Sequence, residues 1–156
     1  MFNPEREVPS LELCKQLKEL GFPQDGGGWY WIIYHDEDGD RVQLLLERER
    51  DKKFWQRLRN CSPNYREVIK APTFIELWKY LPKKFKTPKD KYAYLYIKKV
   101  NNMMQIEYDT YTWDYPDYYI MSIYPSELDS ICKICVWLRE KGYIKFNKEV
   151  SDDNSD

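Results

Sequence analysis

The sequence predicts an α+β fold: an antiparallel sheet built from two β-hairpins and packed by about three helices. Three observations carry this. Two strand-like runs are each broken at a short turn, at Asp38-Gly39 and at Asn101-Asn102. Three other segments place apolar residues at helical spacing between capping residues. Aromatic residues are abundant, 14 Tyr, 6 Trp and 6 Phe among 156, so a core can form without metals or disulfides.

The first helix is expected near residues 10–20. Ser10 stands at its N-cap, Leu13, Leu17 and Leu20 recur on one face, and Gly21 with Phe22-Pro23 stops it. Gly26-Gly-Gly28 reads as a flexible connection into Trp29-Tyr-Trp-Ile-Ile-Tyr-His35. A two-residue turn at Asp38-Gly39 then sets Ile33 opposite Leu44 and Trp31 opposite Leu46. Residues 47–70, rich in Arg and Lys, read as a short helix or long connection running into an edge strand near Val68-Ile69.

Thr73-Phe-Ile-Glu76 has the form of a capping box and opens a helix through Leu81, which Pro82 ends. Lys83 to Lys91 reads as a basic loop. In the second hairpin, a turn at Asn101-Asn102 sets Leu95 opposite Tyr108 and Ile97 opposite Ile106 on one face, with Tyr94 opposite Asp109, Tyr96 opposite Glu107 and Lys98 opposite Gln105 on the other. Tyr111 to Tyr119 is an aromatic and acidic loop. A third helix spans 126–141, capped by Ser126, with a stripe of Leu128, Ile131, Cys132, Cys135, Val136 and Leu138, and ends at Lys141-Gly142. Tyr143 to Phe146 is a candidate short strand. A single domain over 1–148 with a disordered acidic tail at 149–156 is expected. Trp31, Trp78, Trp137 and Tyr108 fall on apolar stripes and are assigned to the core.

Composition limits the function classes. No window approaches the roughly 18 apolar residues that span a bilayer, and the amino terminus lacks a secretory pattern, so a cytoplasmic protein without membrane contact is expected. Cys132-Lys-Ile-Cys135 has metal spacing but lies inside a helix with no second pair nearby, which favours core cysteines and no metal. Asp36, Asp38, Asp40 and Glu47 match a calcium loop in part, but Arg41 occupies the position that needs glycine. With His35 the only histidine and no phosphate-loop or nucleophile motif, no catalytic residue and no cofactor are assigned, and an enzyme is disfavoured.

The near-neutral total of −1 conceals a division. Residues 1–40 carry three basic and nine acidic groups, 41–100 carry seventeen and six, and 101–156 carry five and eleven, giving −6, +11 and −6. The basic middle third is a candidate surface for an anionic partner. Within it, Tyr92, Tyr94 and Tyr96 alternate with Ala93, Leu95 and Ile97 and set three rings beside Lys98, and Trp55, Arg57, Arg59, Tyr94, Tyr96 and Lys98 form the candidate ligand-binding set, because rings stack on bases while cations hold phosphates. The competing expectation is that a helix covers the tyrosines and they belong to the core.

Val8-Pro-Ser-Leu-Glu-Leu-Cys-Lys-Gln-Leu-Lys-Glu-Leu-Gly-Phe-Pro-Gln24, Trp29-Tyr-Trp31, Ala71 to Pro82 and Cys135-Val-Trp-Leu-Arg-Glu-Lys-Gly-Tyr-Ile144 occur in an order that resembles a group of small bacteriophage and prophage proteins of unknown function. The likeness covers most of residues 8–146. It implies a phage accessory protein acting in an infected bacterium and carries over no catalytic residue. The expected function is a non-enzymatic binding protein, in the class of host-takeover or counter-defence factors, that engages a host protein or a nucleotide-like anionic ligand. The alternatives are a single-stranded nucleic-acid-binding accessory protein and a small carboxylate-based enzyme. Oligomeric state is open from sequence.

Overall fold

The structure is a computed structural model that describes residues 3–110, 118–123 and 127–146. It has the expected α+β class, with seven antiparallel strands and four α-helices among the described residues. The two hairpins do not share a sheet. They build separate three-stranded and four-stranded sheets, and the chain divides into two compact units. One holds the described residues up to Thr73 together with Phe146, and the other holds Phe74–Lys145.

In the first unit, helix α1 (Leu11–Glu19) buries Leu13, Cys14 and Leu17. Its end is a Schellman turn: Gly21 takes φ +90°, Phe22 N–H donates to Leu17 O at 2.9 Å and Gly21 N–H to Lys18 O at 3.0 Å. Strands β1 (Gly28–Asp36) and β2 (Gly39–Glu47) form the hairpin, and β3 (Arg66–Ala71) joins the other side of β1, giving the order β2-β1-β3. Between β2 and β3 lies α2 (Lys52–Arg59). Alternation along β1 sorts two cores. Trp31 and Ile33 pack with Ile69, Ala71, Val8 and Cys14 on the α1 face, while Tyr30 and Ile32 pack with Trp55 and Leu58 of α2 on the other.

The first hairpin differs in register from the sequence reading. Trp31 stands opposite Leu44 and Ile33 opposite Val42, because the turn is Glu37-Asp38 and Gly39 already pairs with Asp36 at φ +120°. The shift is two residues, so each side chain keeps the face assigned to it.

In the second unit, α3 (Phe74–Trp78) is only five residues long, shorter than the capping-box reading, and Trp78 is exposed instead of core. Strands β4 (Lys84–Lys86), β5 (Tyr92–Val100), β6 (Met103–Asp109) and β7 (Tyr118–Ile123) form a sheet in chain order. Asn101 and Asn102 both adopt positive φ, +48° and +64°, the geometry of a type I′ turn. Every pairing expected across β5 and β6 is present.

Helix α4 (Glu127–Glu140) covers one face of this sheet and ends in a second Schellman turn, with Gly142 at φ +79° and Tyr143 N–H donating to Leu138 O at 2.8 Å. Beneath it Phe85 meets Tyr108, Trp137 and Tyr143 at ring separations of 5.0, 6.1 and 4.2 Å. Tyr108 is fully buried and its hydroxyl donates to Pro82 O at 2.6 Å. Cys132 and Cys135 are buried in α4, and desolvation pushes the Cys135 thiol up to about 12. Tyr143–Phe146 is irregular and forms no strand. Ser126 as a cap, most of the aromatic and acidic loop, and the tail beyond 146 lie outside the described residues.

Candidate ligand-binding face

The six residues singled out from sequence fall into the two units and divide into three environments. Trp55 is 1% exposed and packs against Tyr30 at 5.2 Å between ring centroids. This corrects its assignment as a ligand-stacking ring: the helix that carries it turns Trp55 and Leu58 into the sheet, so neither ring face is open.

Arg59 is a structural cation. Its guanidinium makes a bidentate pair with Glu47, one bond at 3.0 Å, and lies over the rings of Tyr30 and Trp55 at 5.2 and 5.7 Å. The Glu47 hydrogen bond raises its pKa above the usual arginine value. Tyr30 below it is pushed up to about 12 by desolvation, against the lowering effect of Arg59. Its hydroxyl donates to Gly26 O at 2.5 Å, and Lys70, buried at the same place, reaches Gly27 O and lies 5.0 Å from the Tyr30 ring. Arg57 points the other way, into solvent, where it borders an open groove with Arg50, Lys52, Lys53 and exposed Phe54.

Tyr94, Tyr96 and Lys98 share one face of β5, opposite the face that buries Ala93 under α4. Tyr94 is 42% exposed and Tyr92, on the same face, 45%, whereas Tyr96 is half-buried. Among the described residues no helix covers Tyr92 and Tyr94. The pairings Lys84 with Tyr94 and Lys86 with Tyr92 bring two further lysines to this side, and Lys84 Nζ lies 4.7 Å from the centroid of the Tyr92 ring. Lys86 is ion-paired with Asp90 at 2.5 Å and remains exposed.

Lys98 is committed elsewhere. Its Nζ lies 2.5 Å from Oε1 of Glu107, a carboxylate 1% exposed that also accepts from Gln105 Nε2 at 2.8 Å. Among the described residues no group meets that Oε1 with hydrogen-bond geometry, so the Lys98 contact is an ion pair. Asp109, opposite Tyr94, is also buried. The open part of the face is therefore the β4–β5 half, Lys84, Lys86, Tyr92 and Tyr94, with Tyr96 at its margin.

Lys84 and Lys86 were missed as face residues because Lys84–Lys86 reads as loop: three residues are too few for an alternation to register. The signal was present in Lys-Phe-Lys, whose Phe85 pairs with Ala93 in the core and so turns both lysines outward. Among the described residues no cluster of histidine, cysteine and carboxylate groups has the make-up of a metal site, and no helix is long and apolar enough to cross a membrane. Comparison of the chain with protein-family models, with curated proteins and with solved structures returned no match.

Proposed function

We propose that this chain is a binding protein that holds single-stranded nucleic acid on the β4–β5 face, with bases stacked on Tyr92 and Tyr94 and phosphates drawn to Lys84 and Lys86. The observation that carries the reading is the joint exposure of the two tyrosines beside two lysines on one sheet face. Rings two residues apart on a strand stand about 6.5–7 Å from each other. An extended strand, with its bases unstacked, can match that spacing; a duplex, whose bases are sequestered in a stack, presents mainly its backbone. Lys83, Lys89, Lys91 and Lys99 extend the positive potential around the face, against exposed Asp90 and the buried acids Glu107 and Asp109 of the neighbouring strand.

A nucleotide-like small ligand uses the same stacking and phosphate chemistry, and length dependence separates the two. The setting proposed is the cytoplasm of an infected or lysogenic bacterial cell, in keeping with the resemblance to phage proteins, and the role proposed is binding without turnover.

The test is fluorescence anisotropy with labelled single-stranded oligonucleotides of increasing length, a matched duplex and a mononucleotide, each at several salt concentrations. The expected result is single-strand binding that tightens with length, exceeds duplex binding and weakens with salt by about 0.7 in slope per phosphate neutralised. Binding to the mononucleotide as tight as to the oligonucleotides makes the ligand a nucleotide. No binding to any of them overturns the reading.

A further inference from the structure

The two edges of the first unit's sheet are finished differently. Lys70 N–H points away from β1 and is taken by Gln24 Oε1 at 2.8 Å, while His35 N–H extends the β1–β3 ladder to Tyr65 O at 2.9 Å. The odd-numbered residues of β1 thus bond to β3 and the even-numbered ones to β2. On the β3 edge, Lys70 N–H is capped by Gln24, Arg66 N–H by Ser62 O at 3.2 Å, and the Lys18–Glu67 ion pair stands beside them. That edge is six residues long and closed at both ends.

The β2 edge is nine residues long, pairs with β1 without a bulge, and contains no proline or lysine. Asp40, Val42, Leu44 and Leu46 turn their N–H and C=O groups outward, and among the described residues nothing meets them. Their side chains continue the Trp29, Trp31 and Ile33 face to the margin of the sheet, and Val42 is 48% exposed there. A long, unbulged edge with an apolar face is a template for a further strand.

We propose that this edge pairs with the same edge of a second copy, antiparallel about a two-fold axis at Leu44, joining two three-stranded sheets into one of six strands. The register follows from the strand's own charges. With Leu44 opposite Leu44 of the second copy, Val42 meets Leu46, and Asp40, which within the chain also meets His35 Nδ1 at 2.8 Å, meets Arg48, each pair occurring twice. A slip of two residues sets Asp40 against Leu46 in one direction and Val42 against Arg48 in the other, so only the central register matches apolar to apolar and acid to base. Arg48 is exposed and has no ion-pair partner among the described residues. Because the β3 edge is capped at Arg66 and Lys70 and leaves only Val68 between them, it is too short to template a further strand, and the pairing stops at two copies.

Sedimentation velocity over a range of concentrations tests this with four variants. Val42→Pro removes an outward N–H but no bond inside the chain, and is expected to leave a folded monomer. Asp40→Arg and Arg48→Asp each create like-charge pairs at two places and are expected to weaken the dimer about tenfold. Asp40→Arg with Arg48→Asp in one chain exchanges the charges and is expected to restore it. A wild type that stays monomeric overturns the proposal, whether the edge is then left to water or taken by a different chain. A dimer that survives Val42→Pro, a double charge exchange that fails to recover association, or assembly beyond two copies overturns it as well.

Discussion

Lys98 Nζ lies 2.5 Å from Oε1 of Glu107, so the cation that alternates with the β5 tyrosines is held by a buried carboxylate. Removing the lysine leaves that charge without its counterion. Lys98→Met is therefore expected to lower unfolding free energy by about 1–3 kcal/mol, and Glu107→Gln in the same chain to recover part of it. Chemical denaturation checks this, and the salt slope of oligonucleotide binding is expected to stay as in wild type because Lys98 is not a free phosphate contact.

The exposed rings have the opposite signature. Tyr92→Ala and Tyr94→Ala are each expected to weaken single-strand binding by about 1–3 kcal/mol while changing stability by no more than about 0.5 kcal/mol. Tyr94→Phe keeps the stacking surface and is expected to bind like wild type. Lys84→Ala is expected to reduce the magnitude of the salt slope by about 0.7. Anisotropy titrations of the four variants read the binding changes, and chemical denaturation reads the stability.

Trp55 belongs to the core, and its truncation is expected to act on folding. Trp55→Ala empties the space between α2 and Tyr30 and is expected to cost about 3–5 kcal/mol. Thermal unfolding measures it.

Stability is expected to fall on the alkaline side. Cys135 has an ordinary value of 9.0 and Tyr30 one of 10.0, and burial raises both to about 12 in the folded chain. The unfolded chain thus loses these protons first. Their contribution is complete below pH 9 and is lost as pH rises toward 12. Cys135→Ala and Tyr30→Phe remove one titration each and are expected to flatten the fall, as denaturation curves between pH 8 and 11 will show.

The cysteines offer a check on burial itself. Cys14, Cys132 and Cys135 are buried and Cys61 is partly exposed. A thiol reagent is expected to modify one cysteine in the native protein and four after denaturation, with peptide mapping locating the native label at Cys61.

What could be read from sequence was set by how local each signal is. Asn101 and Asn102 tolerate positive φ, so the turn and the whole β5–β6 register followed from two adjacent residues. Gly39 marked the first turn equally clearly but lies one position inside the strand, which shifted that register by two. Trp55 and Leu58 are three apart and do mark a helix face, yet the arginines and lysines around them drew the eye to charge and hid the packing. β4 and the start of β7 were illegible for another reason: a three-residue strand has no period, and Tyr118 follows a stretch rich in rings and acids that reads as loop. Whether Tyr94 lay under a helix depended on where α4 packs, a tertiary fact no local pattern contains. The answer left Trp55 to the core and moved the cations of the candidate site one strand over, from Lys98 to Lys84 and Lys86 beside Tyr92 and Tyr94.

The most direct test of the central claim is an NMR titration of the protein carrying ring-labelled tyrosine with a short single-stranded oligonucleotide. Shifts concentrated on the Tyr92 and Tyr94 rings, with Tyr30 and Tyr108 unmoved, are the predicted result. Binding that leaves the Tyr92 and Tyr94 signals in place contradicts the account.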